Sequence, residues 1–218
     1  MPATPTTPAV APLLIALEGI DGAGTTTQTE RLRAWLEASG RPAHATREPS
    51  TGPVGRLIRE VLAGQHAPFD KQALALLFAA DRMDHVTREI EPALAAGRHV
   101  LTDRYYHSSF AYQTLDAEGA WVRTLSARAR RPDLTLLIDL PAEVAAERRR
   151  LAGRPDELFD ALATQRRVAD AYRALARELA GSERIVVVPG DQAADAVFAA
   201  LCVELERVLA EVAPPARG

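Results

Sequence analysis

Lysine is almost absent from this sequence of 218 residues: Lys71 is the only one among 26 basic side chains, and the others are arginines. Arginine keeps its charge and presents a planar fork that fits phosphate oxygens. A bias that runs through a whole chain is, however, more typical of genome composition than of function. Only individual arginines, judged by their position, can therefore be assigned a role.

Cysteine, long apolar runs and an excess of positive charge are also missing. A single cysteine, Cys202, excludes an internal disulfide and suits a reducing compartment. No apolar run approaches the roughly 20 residues of a membrane span, and the first dozen residues lack the basic start of a signal peptide. The net charge of −3 is atypical of a general nucleic-acid-binding protein. We therefore expect a cytoplasmic enzyme that binds neither membranes nor nucleic acids.

Length and composition indicate one α/β domain. Hydrophobic residues make up 47% of the chain and charged residues 25%, which is typical of globular proteins. The chain has room for one sizeable core, whereas two domains would be cramped. We expect residues 1–11 to form a disordered tail, residues 12–212 a single domain and residues 213–218 a flexible tail.

The central motif lies at residues 13–28 and reads LLIALEGIDGAGTTTQ. An apolar run predicts a buried strand, a glycine-rich turn follows, and an amphipathic helical pattern comes next. Backbone N–H groups in such a turn can hold phosphate oxygens, although a turn of this kind can also be purely structural. The motif matches G-x-x-x-x-G-K-[ST] except that Thr25 replaces the lysine. The predicted phosphate-binding residues are Gly19, Gly22, Ala23, Gly24, Thr25, Thr26 and Thr27.

Further apolar segments alternate with helical patterns along the chain. Strands are expected at 42–46, 99–102, 134–140 and 185–188. Pro53 is expected to begin one helix and Asp70 to cap a longer one, which Pro92 would kink near its end. This alternation predicts a doubly wound, five-stranded parallel sheet with helices on both faces.

Polar residues follow three of the predicted strands. Asp21 follows the first, Arg47 and Glu48 the second, and Asp103 and Arg104 the third. Each could be an ordinary cap or turn residue. Because ligands bind beyond the carboxyl ends of parallel strands, the three groups together favour one shared site.

Several motifs together resemble the thymidylate kinase (dTMP kinase) family, bacterial type. In chain order they read LEGIDGAG-x-TTQ, TREP, LLFAADR-x-x-H, DRY-x-x-SS-x-AYQ and PDLT-x-x-x-D. The likeness spans residues 12–210. The resemblance implies a P-loop NTPase-type kinase fold and transfer of the ATP γ-phosphate to dTMP, giving dTDP and ADP on the route to dTTP. It also implies Mg²⁺ and a homodimer.

The resemblance implies a dTMP site made of Glu48, Phe78, Arg82, Arg104, Ser109, Tyr112 and Gln113. Phe78 would stack on thymine, although core packing would also explain it. Arg82 would bind the base edge, and Tyr112 would lie against the sugar and exclude a 2′-hydroxyl. Arg104 would hold the dTMP phosphate, with Asp21 and Glu48 nearby. For Mg²⁺, the resemblance implies Thr26 directly and Asp103 through water.

A basic segment at about residues 148–157 resembles the family's lid, which supplies a catalytic arginine in the bacterial type. The small residue Ala23 in the loop fits that type. The resemblance implies Arg149 and Arg154 as catalytic residues beside Asp21 and Arg104. A solvated helix face is the alternative explanation for the run of arginines.

Thr25 is the one clear departure from the family pattern. The usual lysine carries a charge that stabilises the transition state of phosphoryl transfer, and threonine brings none. Either another cation compensates, or the chain is a nucleotide-binding or regulatory relative with little catalysis. A kinase for another deoxynucleoside monophosphate is a further alternative. We favour the active enzyme, because all the residues of the implied dTMP site are present.

Overall fold

The computed structural model describes residues 11–153 and 157–212. In this part of the chain, five strands form one parallel sheet in the order β2-β3-β1-β4-β5. They are β1 (Leu14–Gly19), β2 (Ala43–Arg47), β3 (His99–Asp103), β4 (Leu134–Asp139) and β5 (Ile185–Pro189). The predicted fold class, a parallel α/β sheet with helices on both faces, is confirmed.

The register of the sheet aligns the ends of its central strands. Leu17 of β1 pairs with Asp103 of β3, and Asp103 in turn pairs with Arg47 of β2. All pairs are parallel, so the carboxyl ends of these strands meet at one edge. The residues that follow β1, β2 and β3 are therefore brought together.

Helices connect the strands over the described residues. They are α1 (Thr25–Ala38), α2 (Pro53–Leu62), α3 (Lys71–His85), α4 (Glu91–Ala95), α5 (Tyr106–Tyr112), α6 (Gly119–Ser126), α7 (Ala142–Leu151), α8 (Leu162–Leu179) and α9 (Ala194–Val212). Pro53 begins α2, and Asp70 caps α3 by accepting bonds from the N–H groups of Gln72 (2.9 Å) and Ala73 (3.2 Å). None of these helices is both long and apolar enough to cross a membrane.

The long helix expected after Asp70, with a kink at Pro92, changes its hydrogen-bonding pattern shortly before that proline. The α-helical pattern ends at His85, a π-helical turn occupies Val86–Ile90, and α4 then continues the chain. A proline ring inside a helix crowds the carbonyl of the residue four positions earlier, and a wider turn relieves such crowding. The π turn therefore takes up the disturbance before Pro92 is reached.

The core lies on both faces of the sheet. Side chains of Ile15 and Leu17 in β1 belong to a large cluster with residues of α1, α8 and α9. The alternate residues Leu14 and Ala16 belong to a second cluster with residues of the π turn and α4. All these positions of β1 are fully buried, as an uninterrupted apolar run predicts for a central parallel strand.

Candidate active site

The glycine-rich loop connects β1 directly to α1. Gly22 and Gly24 adopt left-handed φ values of 95° and 89°, which favour glycine. The N–H of Ala23 donates to the carbonyl of Ile20 at 3.0 Å and closes the turn. Gly24 precedes α1, whose first N–H groups have no partner inside the helix. The loop thus ends at a helix N-terminus of the kind that binds anions.

Thr25 and its neighbours occupy different environments. Thr25 is 7% exposed, and its methyl group lies 3.5 Å from where a Cβ on Gly19 would be. The next two residues, Thr26 and Thr27, are exposed in the first turn of α1. Thr25 therefore packs inside the loop and contributes no charge there.

Asp21 lies at the centre of the site, and each of its polar atoms has a partner. Its carboxylate accepts bonds from Arg104 (2.7 Å), Tyr112 (2.9 Å) and Gln165 (2.7 Å). Its N–H donates to Gln165 at 3.1 Å, and its carbonyl accepts a bond from Arg149. The loop is thereby joined to three other elements, α5, α7 and α8.

The charges of Asp21 and Arg104 stabilise each other. Burial alone would raise the pKa of the Asp21 carboxyl, but Arg104 and the hydrogen bonds of Tyr112 and Gln165 lower it below its usual value. Burial likewise opposes the charged form of Arg104, but Tyr112 and Asp21 raise its pKa well above its usual value. Asp21 is therefore an anion and Arg104 a cation at neutral pH.

Arg104 adopts a positive φ of 70°, the one such value among the non-glycine residues that the structure describes. Its guanidinium donates to the hydroxyls of Ser108 (3.1 Å) and Tyr172 (3.4 Å). Both hydroxyls in turn donate to the buried carboxylate of Glu18, at 2.7 and 2.8 Å. Side chains from β1, α5 and α8 thus fix the direction of Arg104.

Arg82 and Glu48 form a buried ion pair at 2.9 Å. Arg82 also donates to the hydroxyls of Ser109 (2.9 Å) and Ser126 (3.1 Å), and it is only 2% exposed. The other Glu48 oxygen lies 3.3 Å from Nδ1 of His85. A buried arginine needs such partners, so the ion pair fixes the orientation of both side chains.

These side chains surround one cavity of about 220 Å³. Its lining includes the predicted site residues Asp21, Thr26, Glu48, Phe78, Arg82, Asp103, Arg104, Ser109, Tyr112 and Gln113. Phe78 is half-buried and packs on the apolar cluster between α2 and α3. It also lines the cavity, so core packing and a position beside a ligand are both compatible with its place. The structure therefore places the whole implied dTMP site in a single cavity.

The side-chain oxygens of Thr26 and Asp103, the expected Mg²⁺ residues, lie next to each other beside the loop. The Thr26 hydroxyl donates to Oδ2 of Asp103, and Oδ1 of Asp103 is buried without a hydrogen-bond partner. A hydroxyl and an unpartnered carboxylate oxygen suit Mg²⁺, which prefers oxygen ligands. In the described part of the chain, no cluster of three or more His, Cys, Asp or Glu side chains could hold a metal.

The basic segment at about residues 148–157, expected to form the lid, is only partly described. Arg149 is 8% exposed at the end of α7, where its guanidinium reaches the carbonyl of Asp21 and forms an ion pair with Asp160 at 3.1 Å. Arg148 donates to a main-chain carbonyl, and Arg150 pairs with an exposed glutamate in its own helix. Of these three arginines, Arg149 alone contacts the loop. Arg154 lies outside the described residues.

Several residues of the site were not predicted from the sequence. Gln165 and Tyr172 come from α8, and Phe159 and Arg59 line the cavity. A signal for the first two exists, because both lie on the buried face of α8, seven residues apart, where a polar side chain needs a buried partner. Their partners Asp21 and Glu18 lie more than a hundred residues away in the sequence. The spacing of residues along α8 does not specify such partners.

Comparisons with known proteins are consistent with this geometry. A family model described as thymidylate kinase matches residues 17–200. A probable thymidylate kinase of Pyrococcus horikoshii is 41% identical over 179 residues, which cover 79% of this chain and 86% of the relative. A thymidylate kinase of Bifidobacterium longum is 41% identical over 199 residues, 87% of this chain and 95% of the relative. A thymidylate kinase of Chromobacterium violaceum is 39% identical over 205 residues, which cover 89% of this chain and 94% of the relative.

Proposed function

This chain belongs to the thymidylate kinase family, and from that premise we propose that it transfers the γ-phosphate of ATP to dTMP, giving dTDP and ADP. The observation that carries the proposal is the position of one cavity directly beside the phosphate loop, with Asp21 and Arg104 between them. A donor phosphate on the loop and an acceptor in the cavity would then meet at these two residues.

The cavity carries positive charge suited to a nucleoside monophosphate. Arg82 is neutralised by Glu48, and Arg104 by Asp21. Arg59 donates instead to main-chain carbonyls, among them that of Pro49 at 2.8 Å, and so keeps its full charge at the cavity wall. We assign Arg59 to the acceptor phosphate because an arginine without a carboxylate partner holds a dianion best, and Arg104 as a second donor whose direction the hydroxyls of Ser108 and Tyr172 fix.

The base and sugar would occupy the apolar part of the cavity. Phe78 offers an aromatic face for stacking, and Gln113 and Ser109 offer groups for hydrogen bonding to the base. The Tyr112 hydroxyl, held 2.9 Å from Asp21, would lie at the sugar and leave no space for a 2′-hydroxyl. These contacts select a deoxyribonucleotide with a thymine base.

The chemistry asks little of the protein beyond alignment and charge. The acceptor phosphate is already ionised, so no strong general base is required. We propose that Thr26, together with Asp103 through water, holds Mg²⁺, which when bound to ATP neutralises its phosphate charge. The loop N–H groups and Arg104 would keep donor and acceptor in line.

Arg149 is our proposed replacement for the missing loop lysine. It is buried against the loop at Asp21, whereas Thr25 supplies no charge. Removing one charged donor from a phosphoryl-transfer site costs on the order of 3 kcal/mol, or about a hundredfold in rate. A fixed arginine at the loop offsets that loss.

We also propose a homodimer formed through α3. Leu76 and Met83 are 50% and 38% exposed, and their spacing of seven residues places them on one face of this helix. The apolar residues between α2 and α3, Ile58, Val61 and Leu74, are instead buried within the protomer. The outer face of α3 would therefore form the interface.

A coupled ADP-release assay with ATP and Mg²⁺ tests the proposed function. We expect the highest kcat/KM with dTMP, lower values with dUMP, dGMP and dCMP, and the lowest with UMP. Equal values for UMP and dTMP would show that the cavity has been misassigned. Binding of ATP without turnover of any acceptor would instead favour the regulatory relative that Thr25 suggests.

A further inference from the structure

Gln165 is a neutral side chain that lies behind the active site without lining its cavity. It is fully buried near the start of α8. Its amide nitrogen donates to Oδ2 of Asp21 at 2.7 Å and to the carbonyl of Phe159 at 2.9 Å, and its oxygen accepts the N–H of Asp21 at 3.1 Å. An amide has two donors and an acceptor, so all its principal hydrogen-bonding groups are used.

The two partners of Gln165 belong to different segments around the cavity. Asp21 is in the phosphate loop and also lines the cavity. Phe159 lines the acceptor cavity, where its ring meets Tyr112 edge-on with centroids 5.4 Å apart. One buried amide therefore connects the phosphate loop to the wall of the cavity that Phe159 forms.

Phe159 depends on such contacts for its position. It lies between α7 and α8, where the described residues 157–161 form neither helix nor strand. Its neighbour Leu158 donates its N–H to Leu62 at the end of α2, at 3.2 Å. The carbonyl of Phe159 itself is held by Gln165. Among the described residues this is the one hydrogen bond of Phe159 itself, so its removal would leave the ring held by packing and by the bonds of its neighbours.

We propose that Gln165 is a positioning residue that fixes Phe159 against Asp21 and so sets the affinity of the cavity for dTMP. The inference rests on the proposed function. Arg149 makes a parallel connection, from Asp21 to the carbonyl of Asp160 at 3.1 Å, but its charge also faces the loop. Gln165 is uncharged and does not line the cavity, so its replacement by another neutral side chain changes no formal charge at the site.

The test is Gln165→Met, which keeps the length of the side chain and removes its donors. The KM for dTMP should rise about tenfold, and dTMP binding measured by calorimetry should weaken equally, whereas kcat at saturating dTMP should change little. Gln28→Met is the matched control. Gln28 is also buried, but its amide binds Ala194 at the start of α9, away from the cavity. This control should lower Tm and leave the KM for dTMP unchanged.

Phe159→Ala keeps the inference testable if Gln165→Met folds poorly. With the ring removed, Gln165→Leu, which lacks the donors and brings no charge against Asp21, should add little to the KM for dTMP, because both changes act on one wall. Fully additive effects, or a Gln165→Met enzyme with normal KM and reduced Tm, would overturn the inference. Failure of the wild-type chain to bind dTMP would instead overturn the proposed function.

Discussion

The cations around the phosphate loop decide whether a chain with Thr25 can catalyse phosphoryl transfer. Arg104 is paired with Asp21 and directed by the hydroxyls of Ser108 and Tyr172. Arg149 contacts the main chain of the loop and is balanced by Asp160. Because Arg104 lies at the acceptor cavity, Arg149 is the better placed of the two to act on the donor phosphates.

Arg149→Met should therefore lower kcat about a hundredfold, because the transition state would lose its charged donor at the loop. Thr25→Lys in the same chain should recover part of that loss. The added lysine returns the charge but not the hydrogen bonds of Arg149 to Asp160, so recovery of kcat identifies charge as the lost property. Steady-state kinetics with saturating ATP and dTMP measure both effects.

Arg150→Met is the control for this pair. Arg150 is the next residue of α7, but it is exposed and pairs with Glu147 at 2.7 Å. Its substitution should leave kcat within about twofold of wild type, since exposed ion pairs contribute little. An unchanged kcat in Arg149→Met would show that another cation, such as Arg104, replaces the lysine.

Single residues of the site differ in how far the sequence could predict them. Asp21, Glu48 and Arg104 follow predicted strands, and parallel strands bring their carboxyl ends to one edge, so their proximity could be inferred. Gln165 could not be assigned, because its buried position on α8 indicates a partner without naming it. The partner is decided by how α8 packs on the loop, which is a long-range contact.

At the scale of the elements, α7 packs directly on the phosphate loop at Gly22. A Cβ added to Gly22 would overlap the carbonyl oxygen of Ala145 in α7, and it would lie 3.1 Å from the side chain of Arg149. The absence of a side chain therefore lets α7 approach the loop closely enough for Arg149 to reach Asp21. Gly22 is therefore needed both for the left-handed turn of the loop and for the close packing of α7 on it.

Gly22→Ala and Gly24→Ala should separate these two roles. Both glycines have left-handed φ values, so each alanine costs about 1–2 kcal/mol in backbone strain. Gly24→Ala meets no atom within 4 Å, whereas Gly22→Ala should cost ~2 kcal/mol more because α7 must shift. Urea unfolding measures the difference between the two variants. Equal losses of stability would mean that α7 does not rest on the loop.

The elements themselves were largely predictable, since strands such as β1 and β4 are buried apolar runs bounded by turn residues. The helix after Asp70 was predicted less well. Its start follows from the capping chemistry of one side chain. The π turn at Val86–Ile90 depends on how the backbone relieves the crowding from Pro92, and several local conformations can do so. The sequence therefore predicted that the helix is disturbed near its C-terminal end, but not that the disturbance is a π turn.

At the scale of the whole molecule, the site draws on distant parts of the chain. Asp21, Glu48, Arg82, Arg104 and Gln165 come from the ends of three strands and from two helices. The cavity consequently depends on the relative position of α3, which carries both Arg82 and the exposed apolar face. A partner on that face would restrain the helix that supplies the buried arginine of the site.

Light scattering of the wild-type chain and of Leu76→Glu/Met83→Glu tests the dimer. The wild type should have twice the 23.5 kDa mass of one chain at micromolar concentration. The double variant should be monomeric, because two charges would be buried without partners in an apolar interface. Val203→Glu is the control, since Val203 is 58% exposed on α9 and should tolerate a charge without loss of the dimer. A monomeric wild type would refute the homodimer, and a double variant that remains dimeric would place the interface on another face.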